Sequence, residues 1–266
     1  MSGSLHPRAV CHSSSVIDPS CFLGEGVEIG PFCIVGEGVR IGDRTRLLSH
    51  VTIVGSTSIG KDCVVHPHAV LGGQSQGRGT IGGSLSIGDS CTIRESVTAN
   101  VGTGGTTIGN NVLLMAGSHV AHDCKVHDDV ILVNGTALAG HVTVYQGAIV
   151  AGLSAVVQHC TIGEFSYIGA GTVVSRDVLP FSMVKGYRGR TTGINVVGLK
   201  RRGWDDERIR VVGLAMQMFL HNDNEGLQLL LANPKATRDI QRIMGFSTGS
   251  EKGFCLPGTP SIEPKL

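Results

Sequence analysis

The sequence holds eleven histidines in 266 residues, and two groups concentrate them: His119-Val-Ala-His122-Asp123 and His66-Pro-His68. An imidazole, with an ordinary pKa of about 6.5, can take up and return protons near neutral pH, and its ring nitrogens also bind metals. Histidine followed directly by aspartate suits acid–base work, because a carboxylate can orient the ring and stabilise the imidazolium. A third group, Lys200-Arg201-Arg202, could hold a diphosphate through bidentate guanidinium contacts, although by itself it reads as a solvated helix start. Which chemistry is open to these residues depends on the elements that position them.

Those elements follow from a six-residue period. Ile17, Leu23, Ile29, Val35, Ile41, Leu47, Ile53, Ile59, Val65 and Leu71 stand six apart. So do the aliphatic residues from Ile108 through Leu114, Val120, Val126, Leu132 and Leu138 to Val174. Four positions after each aliphatic residue comes a small or β-branched one, as at Cys21, Val27, Cys33, Thr45, Cys63, Ser118 and Cys124, and glycine often follows it directly, as at Gly24, Gly30 and Gly42. Short strands between tight turns fit this pattern, with large and small side chains alternating inward and glycine relieving the turn. Cys21, Cys33, Cys63, Cys91, Cys124 and Cys160 all fall in the small inward slot, and no C-x-x-C pair occurs. They are expected to be reduced core fillers.

Composition agrees with a thin, regular scaffold. Glycine numbers 39, aromatics make up 4% and charged residues 16%. With 22 basic and 21 acidic residues the net charge is +1, so no overall field draws nucleic acid or an anionic membrane. No signal-peptide pattern or long apolar span is present, so a cytoplasmic protein with no integral membrane association is expected. The period slips at two places, Gly72–Gly83 and Asn100–Thr107, which read either as harmless excursions or as flaps over a neighbouring subunit's cleft. After Val178-Leu-Pro180 the hexads stop, and Pro180 is expected to end the last strand. Helical patterns follow over Trp204–Leu220, Asn224–Leu231 and Pro234–Met244, with Asp205, Asp206 and Glu207 in the first turn of the longest. The chain thus divides into a β-helix domain at 1–185 and a helical domain with a loose tail at 186–266.

The six-residue pattern resembles the hexapeptide transferases, in which three hexads make one turn of a triangular, left-handed parallel β-helix. The resemblance implies a homotrimer with active sites in the clefts between prisms. Residues 18 apart should then stack about 4.8 Å from one another on adjacent coils. His122, Gly140 and Gln158 form one such column, and Asp123, His141 and His159 the next. A titratable base, a glycine whose N–H can approach a ligand, and further polar groups converge on one edge, an arrangement suited to acyl transfer. Related hexapeptide proteins of the γ-carbonic anhydrase type bind zinc through three histidines, but neither histidine pair here gains a third by stacking, so no metal is expected. A non-catalytic trimeric scaffold is a further alternative.

The segments His119-Val-Ala-His122-Asp123-Cys124, Leu138-Ala-Gly140-His141-Val142, Ile93-Arg-Glu-Ser-Val97 and Gly198-Leu-Lys-Arg-Arg-Gly203 resemble the UDP-N-acetylglucosamine O-acyltransferases of lipid A biosynthesis. The resemblance implies that His122 takes the proton of the sugar 3-hydroxyl, which attacks the thioester of acyl carrier protein. Asp123 would orient His122, and the Gly140 N–H would meet the oxyanion. By the same resemblance His119 and His141 contact the sugar, Gln158 and Asn195 the nucleotide side, and Arg201 or Arg202 the diphosphate; Gln76 of the loop also binds substrate, and Ala170 sets acyl length. No cofactor is implied beyond the phosphopantetheine arm of the carrier protein. The chain departs from the family in its loop, where Gln76 precedes Gly77, Arg78 and Gly79 instead of Asp-Leu-Lys, and Val101 and Val197 replace a usual arginine and glutamate. Losing a designed hydrogen bond to a buried hydroxyl costs about 1–3 kcal/mol. An acyltransferase for a different nucleotide sugar or amino sugar is therefore the alternative reading.

Overall fold

The computed structural model describes residues 4–77, 82–231, 237–247, 250 and 252–257. The expected left-handed parallel β-helix with a C-terminal helical cap is the architecture found, in about 10 turns. Most strands are two residues long, one side chain outward and one inward, as at Arg40–Ile41. A strand this short cannot hold itself together, so each depends on the coils above and below. The strands stack into three sheets. The first runs from Ser4–Leu5 to Thr161–Ile162, the second from Val10–Cys11 to Arg190–Ile194, and the third from Val16–Ile17 to Val173–Val174.

The inward positions are those of the hexad period. Leu23, Ile41, Leu71, Leu114, Leu132 and Leu138 are fully buried, and so are Cys21, Cys33, Cys63, Cys124 and Cys160. All eight cysteines are free. Some polar occupants of the small slot bond to the backbone of the next coil: Thr45 Oγ1 donates to the Gly60 carbonyl at 2.8 Å and Ser154 Oγ to that of Gly169 at 2.9 Å.

Glycine does a different job from the one expected. The left-handed residue at each corner is mostly not glycine but residues such as Arg44, Asp62, Asp123, His141 and His159, with φ of 56°, 57°, 59°, 60° and 63°. The glycine after the aliphatic residue instead allows coils to approach closely, since a Cβ at Gly30 would overlap the Leu48 carbonyl and one at Gly42 would lie 2.7 Å from Gly60.

Both slips in the period fall at one corner. Ile59 pairs with Ile87, 28 positions on, and Ile87 with Ile108, 21 positions on, against 18 for regular coils. The extra residues lie between Val70–Gly73 and Ser84–Ile87, and between Thr98–Asn100 and Thr106–Ile108, in each case where the third sheet gives way to the first.

Pro180 does not end the sheet. Ser182–Lys185 still pairs in parallel with Tyr167–Ile168, and Arg190–Ile194 folds back antiparallel on it, so the second sheet runs past the boundary expected at 185. Proline is tolerated here because the chain turns at Pro180, before the next strand begins. The cap comprises α1 (Val196–Arg201), α2 (Asp206–Leu220), α3 (Asn224–Leu231) and α4 (Thr237–Ser247). Asp205 lies just before α2 as its N-cap, accepting from the Arg208 N–H at 2.7 Å. Lys200 and Arg201 close α1 and do not start a helix; cations at that end complement the helix dipole. Leu199, Ile209, Val212, Met216, Ile240 and Ile243 form the cap's core against Leu179 and Phe181 of the prism end. Among the described residues no helix is long and apolar enough to cross a membrane.

Candidate active site

His119–Val120 is a strand of the third sheet and Lys125–Val126 one of the first, so His122 and Asp123 occupy the corner between them. The expected columns are present there. His141 donates its backbone N–H to the His122 carbonyl at 3.0 Å, and His159 to that of Gly140 at 3.2 Å. The Asp123, His141 and His159 column is a physical stack, with the two imidazoles 4.6 Å apart and inclined by 6°. His122 meets His141 edge-on at 5.1 Å.

The His122 Nδ1 lies 2.7 Å from Asp123 Oδ2. A carboxylate only accepts, so Nδ1 carries the proton and Nε2 is left with a lone pair. Nε2 faces Gly140, where a Cβ would sit 2.6 Å from it. Glycine is thus needed at 140 to keep the base open, and the Gly140 N–H has no acceptor among the described residues.

Burial alone would raise the Asp123 carboxyl, but the bond from His122, the Gly104 N–H and the charges of His141 and His122 hold it below its ordinary value. Its side chain is 7% exposed, that of His122 24%. Burial lowers the His119 imidazole, so it stays neutral further into acid, and its Nδ1 lies 2.7 Å from the Thr98 hydroxyl. His122, Asp123 and His141 each bring one possible ligand atom within 4.8 Å of the others, but His122 Nδ1 and Asp123 Oδ2 are already bonded to each other.

An asparagine at 123 would keep the shape and lose the charge that stabilises the imidazolium. Asp123→Asn is expected to lower kcat by about 10²–10⁴-fold. A folded pKa below the unfolded one adds stability above about pH 4, lost as the pH falls through the folded value. The same variant should therefore lose less melting temperature than the parent between pH 7 and pH 3, measured by circular dichroism.

The structure divides the other expected site residues over three corners. Gln76 is exposed at the histidine corner, on the loop below His122, and His119, Gln158 and His141 are there too. Arg78 and Gly79 of that loop lie outside the described residues. Arg202 lies at the corner between the first and second sheets, its guanidinium 4.3 Å above the Phe165 ring and 3.4 Å from the Gly147 carbonyl. Arg201 beside it is exposed. Asn195 is 5% exposed and committed on both sides, donating to the Phe165 carbonyl at 2.9 Å and accepting from Gly198 N–H at 3.1 Å. It fixes α1 and thereby the arginines. Ala170 stands exposed at the third corner, between Tyr167–Ile168 and Val173–Val174.

Sequence reasoning missed Thr98, Gly104, Thr106 and Phe165. Thr106 Oγ1 accepts from the Asp123 N–H at 2.8 Å, and Gly104 N–H donates to Asp123 Oδ1 at 2.6 Å. Thr98 and Phe165 could have been found by the column arithmetic once the insertions were counted. The Gly104 contact leaves no mark on side-chain type.

Comparison with known proteins gives this geometry its family. Residues 38–73 and 105–140 match the bacterial transferase hexapeptide model, and residues 177–255 match the second domain of UDP-N-acetylglucosamine O-acyltransferase. The acyl-[acyl-carrier-protein]–UDP-N-acetylglucosamine O-acyltransferase of Sinorhizobium fredii is 44% identical over 87% of this chain and 86% of its own. That of Bartonella bacilliformis is 41% identical over 95% and 94%. Among solved structures, the Arabidopsis UDP-N-acetylglucosamine acyltransferase superposes with a TM-score of 0.83 at 32% identity, covering 95% of this chain and 100% of that one. The Campylobacter jejuni enzyme gives 0.86 at 29%, covering 93% and 100%. Matched along nearly the whole of both chains, this protein belongs to the UDP-N-acetylglucosamine O-acyltransferase family.

Proposed function

We propose that this protein transfers a fatty acyl group from acyl carrier protein to the 3-hydroxyl of UDP-N-acetylglucosamine, the first step of lipid A biosynthesis, in the cytoplasm. The observation that carries the reading is the His122–Asp123 pair with its Nε2 open over Gly140. Nε2 takes the hydroxyl proton as the oxygen attacks the thioester carbonyl. The Gly140 N–H receives the developing oxyanion, and Asp123 stabilises the imidazolium. Collapse of the tetrahedral intermediate breaks the carbon–sulfur bond, and the imidazolium returns its proton to the departing thiolate. The acyl chain arrives on the carrier protein's phosphopantetheine arm, so the protein needs no cofactor of its own.

A homotrimer is part of this reading, and the three-corner arrangement supports it. His122 stands on a convex edge, so one chain supplies one wall, and neither Arg202 nor Ala170 shares that edge. Packed prisms bring different corners of different copies together. Light scattering should give three times the chain mass. Mixed assemblies of His122→Ala and Arg202→Ala chains should regain activity that neither has alone, and assemblies that stay inactive would argue that one copy supplies both residues.

Incubation with acyl carrier protein thioester and UDP-N-acetylglucosamine should release free carrier thiol in step with one acylated sugar nucleotide; thiol release without that product contradicts the reading. At Ala170 a larger side chain should shorten the accepted acyl group. Ala170→Met is expected to lower kcat/KM for the longest chains by about tenfold or more, with the shortest little affected.

A further inference from the structure

The three-residue insertion that follows Thr98–Asn100 forms a strap beside the catalytic pair. At one end it touches Asp123: the Gly104 N–H donates to Asp123 Oδ1 at 2.6 Å, and a Cβ at Gly102 would collide with the Asp123 backbone N. At the other end it is tied to the lower loop. Val101 N–H donates to the Gly73 carbonyl at 2.9 Å, Gly102 and Ser84 exchange backbone bonds of 3.3 and 3.1 Å, and Asn100 Nδ2 donates to the carbonyls of Gly73, at 3.2 Å, and Gln74. Asn100 is the one side chain in this set of ties. It is 7% exposed, and its Oδ1 is buried without a donor among the described residues.

That is a costly place for an amide. An unmet buried acceptor costs about 1–3 kcal/mol, whereas an apolar residue would leave nothing unmet. What the amide supplies is a pair of donors that close the base of the loop onto the strap. Between Asn100 and Thr106 the strap holds only the bridge at Gly102 and a turn closed by the Gly105 N–H on the Gly102 carbonyl at 2.9 Å, so the Asn100 donors and these backbone bonds decide where Gly104 sits.

We infer that Asn100 is a positioning residue for the reaction: by tying Gly73 and Gln74 to the strap, it places the Gly104 N–H on Asp123, which in turn sets the angle of the His122 imidazole. The inference rests on the proposed role of His122 and Asp123. Asn100 acts at one remove, so its loss disturbs proton transfer without weakening ground-state binding. Gly104→Ala tests the other end of the same strap. Its Cβ would stand 3.2 Å from Asp123 Oδ1, and its backbone is in a conformation open to alanine.

The experiment is steady-state kinetics of Asn100→Ala, Gly104→Ala and the double variant, with acyl carrier protein thioester and UDP-N-acetylglucosamine. Each single variant should lose about tenfold in kcat, a fraction of what general-base catalysis contributes, with both KM values within about twofold. The double variant should lose little more than either single one, because both act through one strap. Asn100→Gln, which keeps the donors, should recover part of the loss. A raised KM with kcat unchanged would make Asn100 a sugar contact and overturn the inference. So would multiplicative losses in the double variant, or a melting temperature that falls in proportion to activity. His122→Ala separates the two levels. If it stays active, the general-base reading itself has failed; if it is inactive while Asn100→Ala matches the parent, only the strap is wrong.

Discussion

His122→Ala should lose between about 10² and 10⁴ in kcat while the protein remains folded. The ring is partly exposed at a corner, and the buried residues nearest it in the chain, Val120 and Cys124, do not depend on it. Its removal deletes one hydrogen bond to Asp123 and opens space above Gly140, so stability should change by about 1 kcal/mol or less. Binding of UDP-N-acetylglucosamine, measured by calorimetry, should stay within a few-fold, since the imidazole acts in the transition state. Asp123 would then keep the Gly104 N–H and the His141 ring 3.8 Å away as its remaining partners. A variant retaining full turnover would place the base elsewhere on the same corner, and His141 would be the next residue to replace.

The largest effect on stability is expected in the cap. Asp239 of α4 has a side chain only 1% exposed, and it receives two bonds from Arg208 of α2, at 2.8 and 3.0 Å. Arg242 approaches it at 3.8 Å and also reaches Glu164 on the prism at 3.3 Å. Arg208 lies 3.6 Å from the Trp204 ring, so the same guanidinium is held on two sides. Asp239→Ala leaves the mostly covered Arg208 side chain without its carboxylate. Breaking a buried pair from one side costs about 3–5 kcal/mol, and the partial exposure of Arg208, at 34%, argues for the lower end, about 3 kcal/mol. Denaturant unfolding followed by Trp204 fluorescence, the chain's single tryptophan, should show this loss in the cap. Replacing Asp239 and Arg208 together with apolar residues of similar size should restore much of it.

The prism was legible because its stabilising contacts repeat. Every inward residue obeys one period, so Leu132 or Val150 could be placed from spacing alone, and stacking by 18 put His122 over Gly140. The same spacing carried further than the columns first drawn from it. Counted from Ile162 and Ile168, it puts Phe165 and Ala170 on two other corners. Other features were not visible because backbone groups make them. The strap from Asn100 to Gly105 holds Asp123 through an N–H that any residue but proline would offer, so it read only as a slip in the period. The hairpin after Pro180 was masked by a proline that falls at a turn. The charge of Lys200 and Arg201 says nothing of which end of a helix they occupy; Asn195, capping α1 from the other side, settles the direction.

The departures in the loop leave one chemical question that a single measurement answers. Equal amounts of UDP-N-acetylglucosamine and its 3-amino analogue are offered together with acyl carrier protein thioester, and the products are separated by mass and by lability to mild alkali. The expected product is an alkali-labile ester on UDP-N-acetylglucosamine, formed by the parent protein and lost with His122→Ala. An alkali-stable amide on the amino sugar, with the hydroxyl substrate untouched, would contradict it.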